Sequence, residues 1–425
     1  MNVNQRQSET ILATVRNRVL RNHFNVAGID YAEWTRAFDQ RSAELLTVDT
    51  ETFECGVQDL LKRLRSSHTG FYHDRPNRLF PQHTINATLG DDSNESQRWF
   101  FMDVFEAGPA DSAGIKPGDV LNAVDGQSYA PPDMPPFKTG STHALSVSAP
   151  DGTAVREISI YVPRQKGNKN LPPILPPKSI SRSMVGPGTG LLRITWFPGS
   201  MGLGFEKALD SAIADLKQRG CDRLIIDLRG NIGGGLGFAR LTSYLCPDRR
   251  PIGYSLTPAR QRRGYKLEDL DRVVYPATAI GFAATLTRFA LRDKSICLMT
   301  QGLGPQPFHG NVAILVNEWT NSAAEMVAGF ASENKLATII GKKTAGNVLG
   351  AVNMKVGGGY WLRLPVFGWL TSGGACLEGN GVTPDLAVDV DAAELHAGID
   401  QQLLAVKKAF EGFRNRGTNA DAATA

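Results

Sequence analysis

Two stretches of this 425-residue chain put chemically capable side chains at the corner between an apolar run and a helix. The first is Leu224-Ile225-Ile226-Asp227-Leu228-Arg229-Gly230-Asn231-Ile232-Gly233-Gly234-Gly235, which runs from a buried strand into a glycine-rich turn. Such a turn leaves backbone N–H groups free to bind an anion. The anion is either a phosphate or an oxyanion formed during a reaction. The pattern GxxxxGK(S/T) is absent and GxGxxG does not fit around Gly233, which argues against a nucleotide. The second stretch is Val312 to Val316 followed by Asn317-Glu318-Trp319-Thr320-Asn321-Ser322-Ala323-Ala324-Glu325-Met326. Ser322 stands where a hydroxyl can be held at a helix N-terminus, whose dipole and N–H groups favour developing negative charge. On spacing alone the same serine is a helix N-cap, with Glu325 three residues on as its capping-box partner. Asp227 and Arg229 read as structural, pinning the glycine-rich turn.

Four motifs occur in a telling order: Asp227-Leu228-Arg229-Gly230-Asn231 with its glycines, Leu315-Val316-Asn317 with Ser322-Ala323-Ala324-Glu325, Gly341-Lys342-Lys343-Thr344-Ala345-Gly346, and Glu378-Gly379-Asn380-Gly381-Val382-Thr383-Pro384-Asp385. Over most of residues 190 to 390 this order resembles the tail-specific (C-terminal processing) serine protease family. The resemblance implies that Ser322 is the nucleophile. Many members pair it with a lysine, but Asn347 stands at that position, and Lys342 and Lys343 come earlier in the motif. A hydroxyl without a base is a weak nucleophile. The tricorn-like branch of the family instead uses a histidine from an N-terminal His-Thr motif beside a serine, and a glutamate near the domain's end. Ser67-His68-Thr69-Gly70 and Glu378 match that pattern.

The resemblance therefore implies a set of roles. Ser322 attacks the scissile carbonyl, and His68 takes its proton and later gives it to the leaving amine. Glu378 orients the imidazole through Ser67, and the N–H groups of Gly234 or Gly233 and of Ala323 hold the oxyanion, in the logic of a catalytic triad. Imidazole titrates near neutral pH, which suits both proton transfers. His73 and His309 are rivals for the base but sit in no matching motif. Cys376 has no adjoining histidine motif and reads as packing. The implied activity is an endopeptidase acting on unfolded or tail-exposed polypeptides, without a cofactor or metal. Retinoid-binding repeats on the same fold keep a second reading open, a catalytically inactive ligand- or peptide-binding protein, which Asn347 would fit.

The elements that must position these residues follow from periodicity. The fold class is multidomain α/β. Residues 1–78 form an N-terminal helical region, with apolar residues at three- and four-residue steps from Ile11 to Leu64. Residues 79–165 carry Ala107-Gly108-Pro109-Ala110-Asp111-Ser112-Ala113-Gly114-Ile115-Lys116-Pro117-Gly118-Asp119-Val120-Leu121 and Val124-Asp125-Gly126, whose turn residues resemble the PDZ signature. That resemblance implies strand-addition peptide recognition. The carboxylate-binding loop is expected ahead of Trp99, where Leu89 to Glu95 is acidic and matches poorly. Residues 166–190 hold Pro172-Pro173, Pro176-Pro177 and Gly186-Pro187-Gly188 and read as a linker. Residues 191–414 alternate strands and helices, which gives an α/β core with a largely parallel sheet, closed by one helix over 392–413; the family resemblance implies that this core is ClpP/crotonase-like. Residues 415–425 read as a disordered tail.

Composition sets the outer bounds. At 42% hydrophobic and 21% charged, with a net charge of +4, the chain is built for a packed core and carries no concentrated basic patch for nucleic acid. The five cysteines, Cys55, Cys221, Cys246, Cys297 and Cys376, are odd in number and lack metal-ligand spacing, against a disulfide framework or a zinc site. No run reaches the roughly 18 apolar residues of a membrane span. Met1 to Gln7 shows no apolar leader, so the expected compartment is the cytoplasm, with periplasm or secretion left for a chain that has lost its leader. The family resemblance also admits a homo-oligomer.

Overall fold

The computed structural model describes residues 5–73, 81–92, 97–163, 175–199, 203–275 and 295–422, with 280, 281, 283, 284, 287 and 293 between the last two. The chain divides into two compact units. The first joins Met1–Pro76, Arg250–Gln301 and Gly346–Gly381; the second joins Asn77–Arg249, Gly302–Ala345 and Val382–Ala425.

In the first unit the expected helices are α1 (Gln5–Asn22), α2 (Tyr31–Leu45) and α3 (Thr50–Lys62). Asp30 and Asp49 cap α2 and α3 by accepting from the N–H groups of Ala32 and Thr52. Ile11, Val15 and Val19 of α1, Trp34 and Phe38 of α2, and Phe53, Val57 and Leu60 of α3 are buried. They do not close on one another alone. Their apolar faces pack on Phe71, Val356, Tyr360, Leu362 and Leu364 of a sheet. That sheet contains β1 (Gly70–His73), β10 (Pro251–Leu256), β11 (Asp271–Val274), β12 (Ile296–Met299), β15 (Gly350–Gly357) and β16 (Tyr360–Thr371), with the short helix α7 (Pro258–Arg263) following β10. Strand β16 is its axis, pairing antiparallel with β1, β10 and β15. The bundle is thus one layer of a two-layer unit, because three short amphipathic helices need a partner face to bury. This grouping cuts across the boundaries expected at 1–78 and 191–414.

In the second unit, one sheet has the order β17-β14-β13-β9-β8-β7. Its members are β7 (Ile180–Gly186), β8 (Thr189–Ile194), β9 (Arg223–Asp227), β13 (Val312–Val316), β14 (Thr338–Gly341) and β17 (Leu386–Ala387). From β8 to β17 the pairs are parallel. Parallel strands covered on both faces read as unbroken apolar runs, and every residue of β13 is buried. The helices are α5 (Leu203–Gln218), α6 (Phe238–Leu245) and α8 (Ala323–Glu333). Strand β7 lies inside the expected linker. It pairs antiparallel with β8 across the Pro187-Gly188 turn, so its register is set by a hairpin rather than by apolar pattern. The expected closing helix is two helices, α9 (Ala392–His396) and α10 (Gln401–Ala422), parted at Gly398 with φ +80°. Helix α10 runs through the first residues of the expected tail.

The same unit holds a five-stranded antiparallel sheet, β2 (Ala87–Asp92), β3 (Arg98–Val104), β4 (Val120–Val124), β5 (Ser141–Ser148) and β6 (Arg156–Val162), with the short helix α4 (Pro109–Ser112). Phe101, Leu121, Leu145 and Val147 fill its core. Residues 89–92, expected in a loop, are strand: Asp91 pairs with Trp99. The rest of that expected loop, 93–95, lies outside the described residues. Among the described residues no helix is long and apolar enough to cross a membrane, and no group of His, Cys, Asp and Glu could hold a metal ion.

Candidate active site

The second unit carries the serine corner. Strands β9 and β13 run side by side, with Leu315 opposite Asp227, so the turns leaving their C-terminal ends are neighbours. In open α/β sheets this is where ligands bind. The two turns are tied at several points. Asn321 N–H donates to the Asn231 carbonyl at 2.8 Å. Asn317 Oδ1 accepts from Gly230 N–H at 2.9 Å, and Thr320 Oγ1 donates to the Leu228 carbonyl at 2.9 Å. Asn317 Nδ2 also donates to Asp103 of β3 at 3.1 Å, and Asp103 in turn takes Arg193 Nη2 at 2.9 Å.

Ser322 lies between β13 and α8 at φ +54°, ψ −116°. A capping serine ordinarily sits in the extended region. A non-glycine residue held here costs about 1–3 kcal/mol and persists only where its surroundings force it. Those surroundings are visible. Ser322 N–H donates to Glu325 Oε2 at 3.0 Å, and the pair form a capping box. Glu325 is fully buried, and its other oxygen accepts from Thr344 Oγ1 at 2.6 Å. Thr344 Oγ1 is itself fixed by Val382 N–H at 2.7 Å. The capping role is therefore real, and the backbone bend is more than capping requires.

Gly233 packs directly on this corner. A Cβ there would lie 2.6 Å from Ser322 Cβ and 3.0 Å from the Asn321 carbonyl, so only glycine fits. Its N–H, expected as an oxyanion donor, is already given to Asn231 Oδ1 at 2.8 Å, and its carbonyl accepts from Phe197 N–H at 2.9 Å. Gly233 thus serves close approach, because the side chain of Asn231 consumes its donor. The N–H groups of Gly234 and Ala323 have no protein acceptor among the described residues, the second being a first-turn helix N–H. Asp227 and Arg229 do pin the turn: Arg229 Nη2 and Nε lie 2.8 and 2.9 Å from the Asp227 carboxylate. Burial alone would raise the Asp227 pKa, but the Arg229 and Arg193 charges outweigh it and hold the carboxyl at about 2.

The first unit carries a histidine relay. His68 follows α3 in the turn Ser66–Thr69 at φ +57°. Its Nδ1 lies 2.9 Å from Ser67 Oγ. Ser67 Oγ donates to Glu378 Oε2 at 2.9 Å, and Ser67 N–H donates to Glu378 Oε1 at 2.6 Å. Val348 N–H completes the shell of the buried Glu378 at 2.9 Å. A serine that gives its one proton to the carboxylate can only accept from the ring. The network therefore assigns the ring proton to Nδ1 and the lone pair to Nε2. Burial, then the Arg363 charge, pushes the His68 pKa down to about 4, so the ring is neutral at ordinary pH.

The rivals have other employment. His309 accepts from Gln306 N–H at Nδ1 and faces the Tyr244 carbonyl at 3.0 Å through Nε2. His73 is exposed and stands edge-on to Tyr360 at 5.0 Å. Lys342 Nζ faces Asp389 and Glu318 at 3.5 and 3.7 Å, and Lys343 is exposed. Burial pushes the Cys376 thiol pKa up, against a nucleophilic thiolate. Sequence reasoning gave no role to Asn231, Asn317 or Thr344. All three lie inside the quoted motifs, the one signal available for them; the side-chain bonds they make are announced by no spacing.

Residues 188–388 match peptidase family S41. Over 373 residues the chain is 23% identical to the carboxy-terminal processing protease CtpA of Bacillus subtilis (strain 168), covering 85% of this chain and 69% of that protein. It is 22% identical over 356 residues to CtpB of the same organism, covering 80% and 64%. The chain thus spans about two thirds of the length of these relatives. Among solved structures, mature CPAF complexed with lactacystin aligns with a TM-score of 0.59 at 17% identity, over 98% of this chain and 99% of that one. A photosystem II D1 C-terminal processing protease aligns with a TM-score of 0.52 at 18% identity, over 90% and 93%. At these identities the structural likeness speaks for the fold.

Proposed function

We propose that this chain, which carries a peptidase family S41 domain, is a serine endopeptidase of the carboxy-terminal processing kind that acts through Ser322, His68 and Glu378. Its substrates are unfolded or tail-exposed polypeptides. Ser322 Oγ attacks the scissile carbonyl carbon as its proton passes to His68 Nε2. The carbonyl π bond opens to an oxyanion, received by the N–H groups of Gly234 and Ala323. The C–N bond then breaks, and the amine leaves with the proton from His68. Water, deprotonated by the same nitrogen, cleaves the acyl-enzyme and restores Ser322. Glu378 acts through Ser67, holding the tautomer and stabilising the imidazolium that forms.

The observation that carries this reading is the Glu378–Ser67–His68 chain of hydrogen bonds, with its ring proton on Nδ1 and an unprotonated Nε2. A protein that only bound ligands would have no use for a buried carboxylate acting on an imidazole through a serine. The five-stranded sheet of residues 87–162, which we read as PDZ-like, would present substrate by strand addition.

Hydrolysis of casein by the wild-type chain, beside Ser322→Ala and His68→Ala, tests the proposal. Cleavage by wild type with loss in both variants is expected. Full activity in His68→Ala removes the base assignment. Inertness of wild type towards several unfolded substrates moves the binding-protein reading to the front.

A further inference from the structure

A second buried histidine stands behind the first. His23 follows α1 and is 1% exposed. Its Nδ1 lies 2.8 Å from Tyr31 Oη, and Tyr31 Oη donates to the His23 carbonyl at 3.2 Å. The tyrosine proton is thus committed, so Nδ1 must be the donor between ring and phenol. That leaves Nε2 as an acceptor, 2.9 Å from Ser66 Oγ. Ser66 Oγ, having donated to the ring, can accept from Thr69 Oγ1 at 2.9 Å. With His23 neutral, Thr69, Ser66, His23 and Tyr31 form one connected network, in which Thr69 Oγ1 also reaches the Ser67 carbonyl at 3.4 Å. Burial pushes the His23 pKa down to about 4, which keeps the ring neutral.

Ser66 and Thr69 are the two ends of the turn that holds Ser67 and His68. We propose that His23 is a positioning residue for His68: by holding Ser66 directly, and Thr69 through Ser66, it sets the left-handed backbone of His68 and the approach of its Nδ1 to Ser67 Oγ. The inference rests on the reading of His68 as the base. His68 is bonded on one ring nitrogen only in its own turn, so its orientation is decided by where that turn is held. A polar histidine packed at the foot of an apolar bundle would otherwise be a poor use of a core position, since aliphatic side chains fill such space at no desolvation cost.

The test compares three variants in the full-length chain. His23→Phe keeps the ring volume and removes both bonds. His23→Gln keeps an acceptor and a donor. Ser66→Ala removes only the link to the turn. Casein hydrolysis gives kcat and KM, and 15N NMR of the histidine rings reports the His68 tautomer without reference to activity. His23→Phe is expected to lower kcat about 10- to 100-fold with KM unchanged, as for a base displaced by an ångström. In it His68 should lose its Nδ1–H signature, and His23→Gln should recover most of both. Wild-type kcat and tautomer in His23→Phe would overturn the inference, as would His23→Gln being as impaired as His23→Phe. If His23→Phe does not fold, Ser66→Ala decides: a kcat loss with a disturbed His68 tautomer supports positioning, and wild-type behaviour refutes it. His68→Ala is measured alongside. If it stays active, the base reading falls, and the tautomer readout alone then judges whether His23 orders the ring.

Discussion

At Ser322 the fixing element is the backbone: a bent residue between a fully buried strand and a helix, wedged against Gly233 and tied turn to turn by main-chain and asparagine bonds. At His68 it is a line of side chains, Glu378 to Ser67 to the ring, with His23 and Ser66 behind. Backbone-fixed geometry fails as a whole, because one added methyl at Gly233 has nowhere to go. Side-chain relays fail by degrees, one bond at a time. In the proposed mechanism the attacking atom rests on the rigid device and the proton on the adjustable one.

The sharpest break in this comparison is Ser322→Ala. With the relay intact and the nucleophile gone, hydrolysis should fall by about 10⁶-fold while the fold survives. A single-turnover assay retaining even a hundredth of wild-type rate would mean the serine corner is not the reacting centre. Glu378→Gln attacks the other device. It keeps the shape but reverses the proton order through Ser67, and kcat should fall by up to about 10⁴-fold, as for a triad whose tautomer is wrong. A loss below tenfold would show that Ser67 holds the ring unaided.

Acid separates the two regions in another way. In the first unit His23 and His68 drop from 6.5 to about 4 on folding, chiefly through burial. The folded rings bind protons less readily than the unfolded ones. Their stabilisation is complete above pH 6.5 and is lost as pH falls towards 4, by up to about 3 kcal/mol each. In the second unit Asp227 drops from 3.8 to about 2, so its contribution persists to pH 3.8 and is lost only below that. Hydrogen exchange followed between pH 7 and 4 should show the first unit loosening before the second; simultaneous loosening would erase the distinction. The smallest effect is expected at Lys342→Ala and Lys343→Ala, whose kcat should stay within about twofold of wild type, as usual for surface charges. Collapse of either variant would return the base to a lysine.

What the sequence made legible follows the same division. The parallel strands announced themselves as apolar runs at Leu224 to Leu228 and Val312 to Val316, and the corner residues fell at their ends. The pairing of Ser67 with Glu378 was legible only through resemblance, because 311 residues separate them and no local rule spans that distance. The sheet of the first unit went unread for the same reason, its strands coming from residues 70–73, 251–256, 271–274, 296–299 and 350–371 and pairing across long stretches of chain, antiparallel except for β11 with β12. Strand β7 was hidden among prolines, since a hairpin partner rather than an apolar pattern fixes it. That Gly233 spends its N–H on Asn231 is a matter of side-chain rotamer, below the resolution of any motif.

The long separation of Ser67 from Glu378 also has a consequence in time. A ribosome adding about 5–20 residues per second needs roughly 15–60 seconds to pass from one to the other. Throughout that interval the nascent chain holds His68 but not the carboxylate that orders it. The two bonds that fix Ser67 can form only once Glu378 has been made, so this turn of the first unit settles long after its helices have left the ribosome.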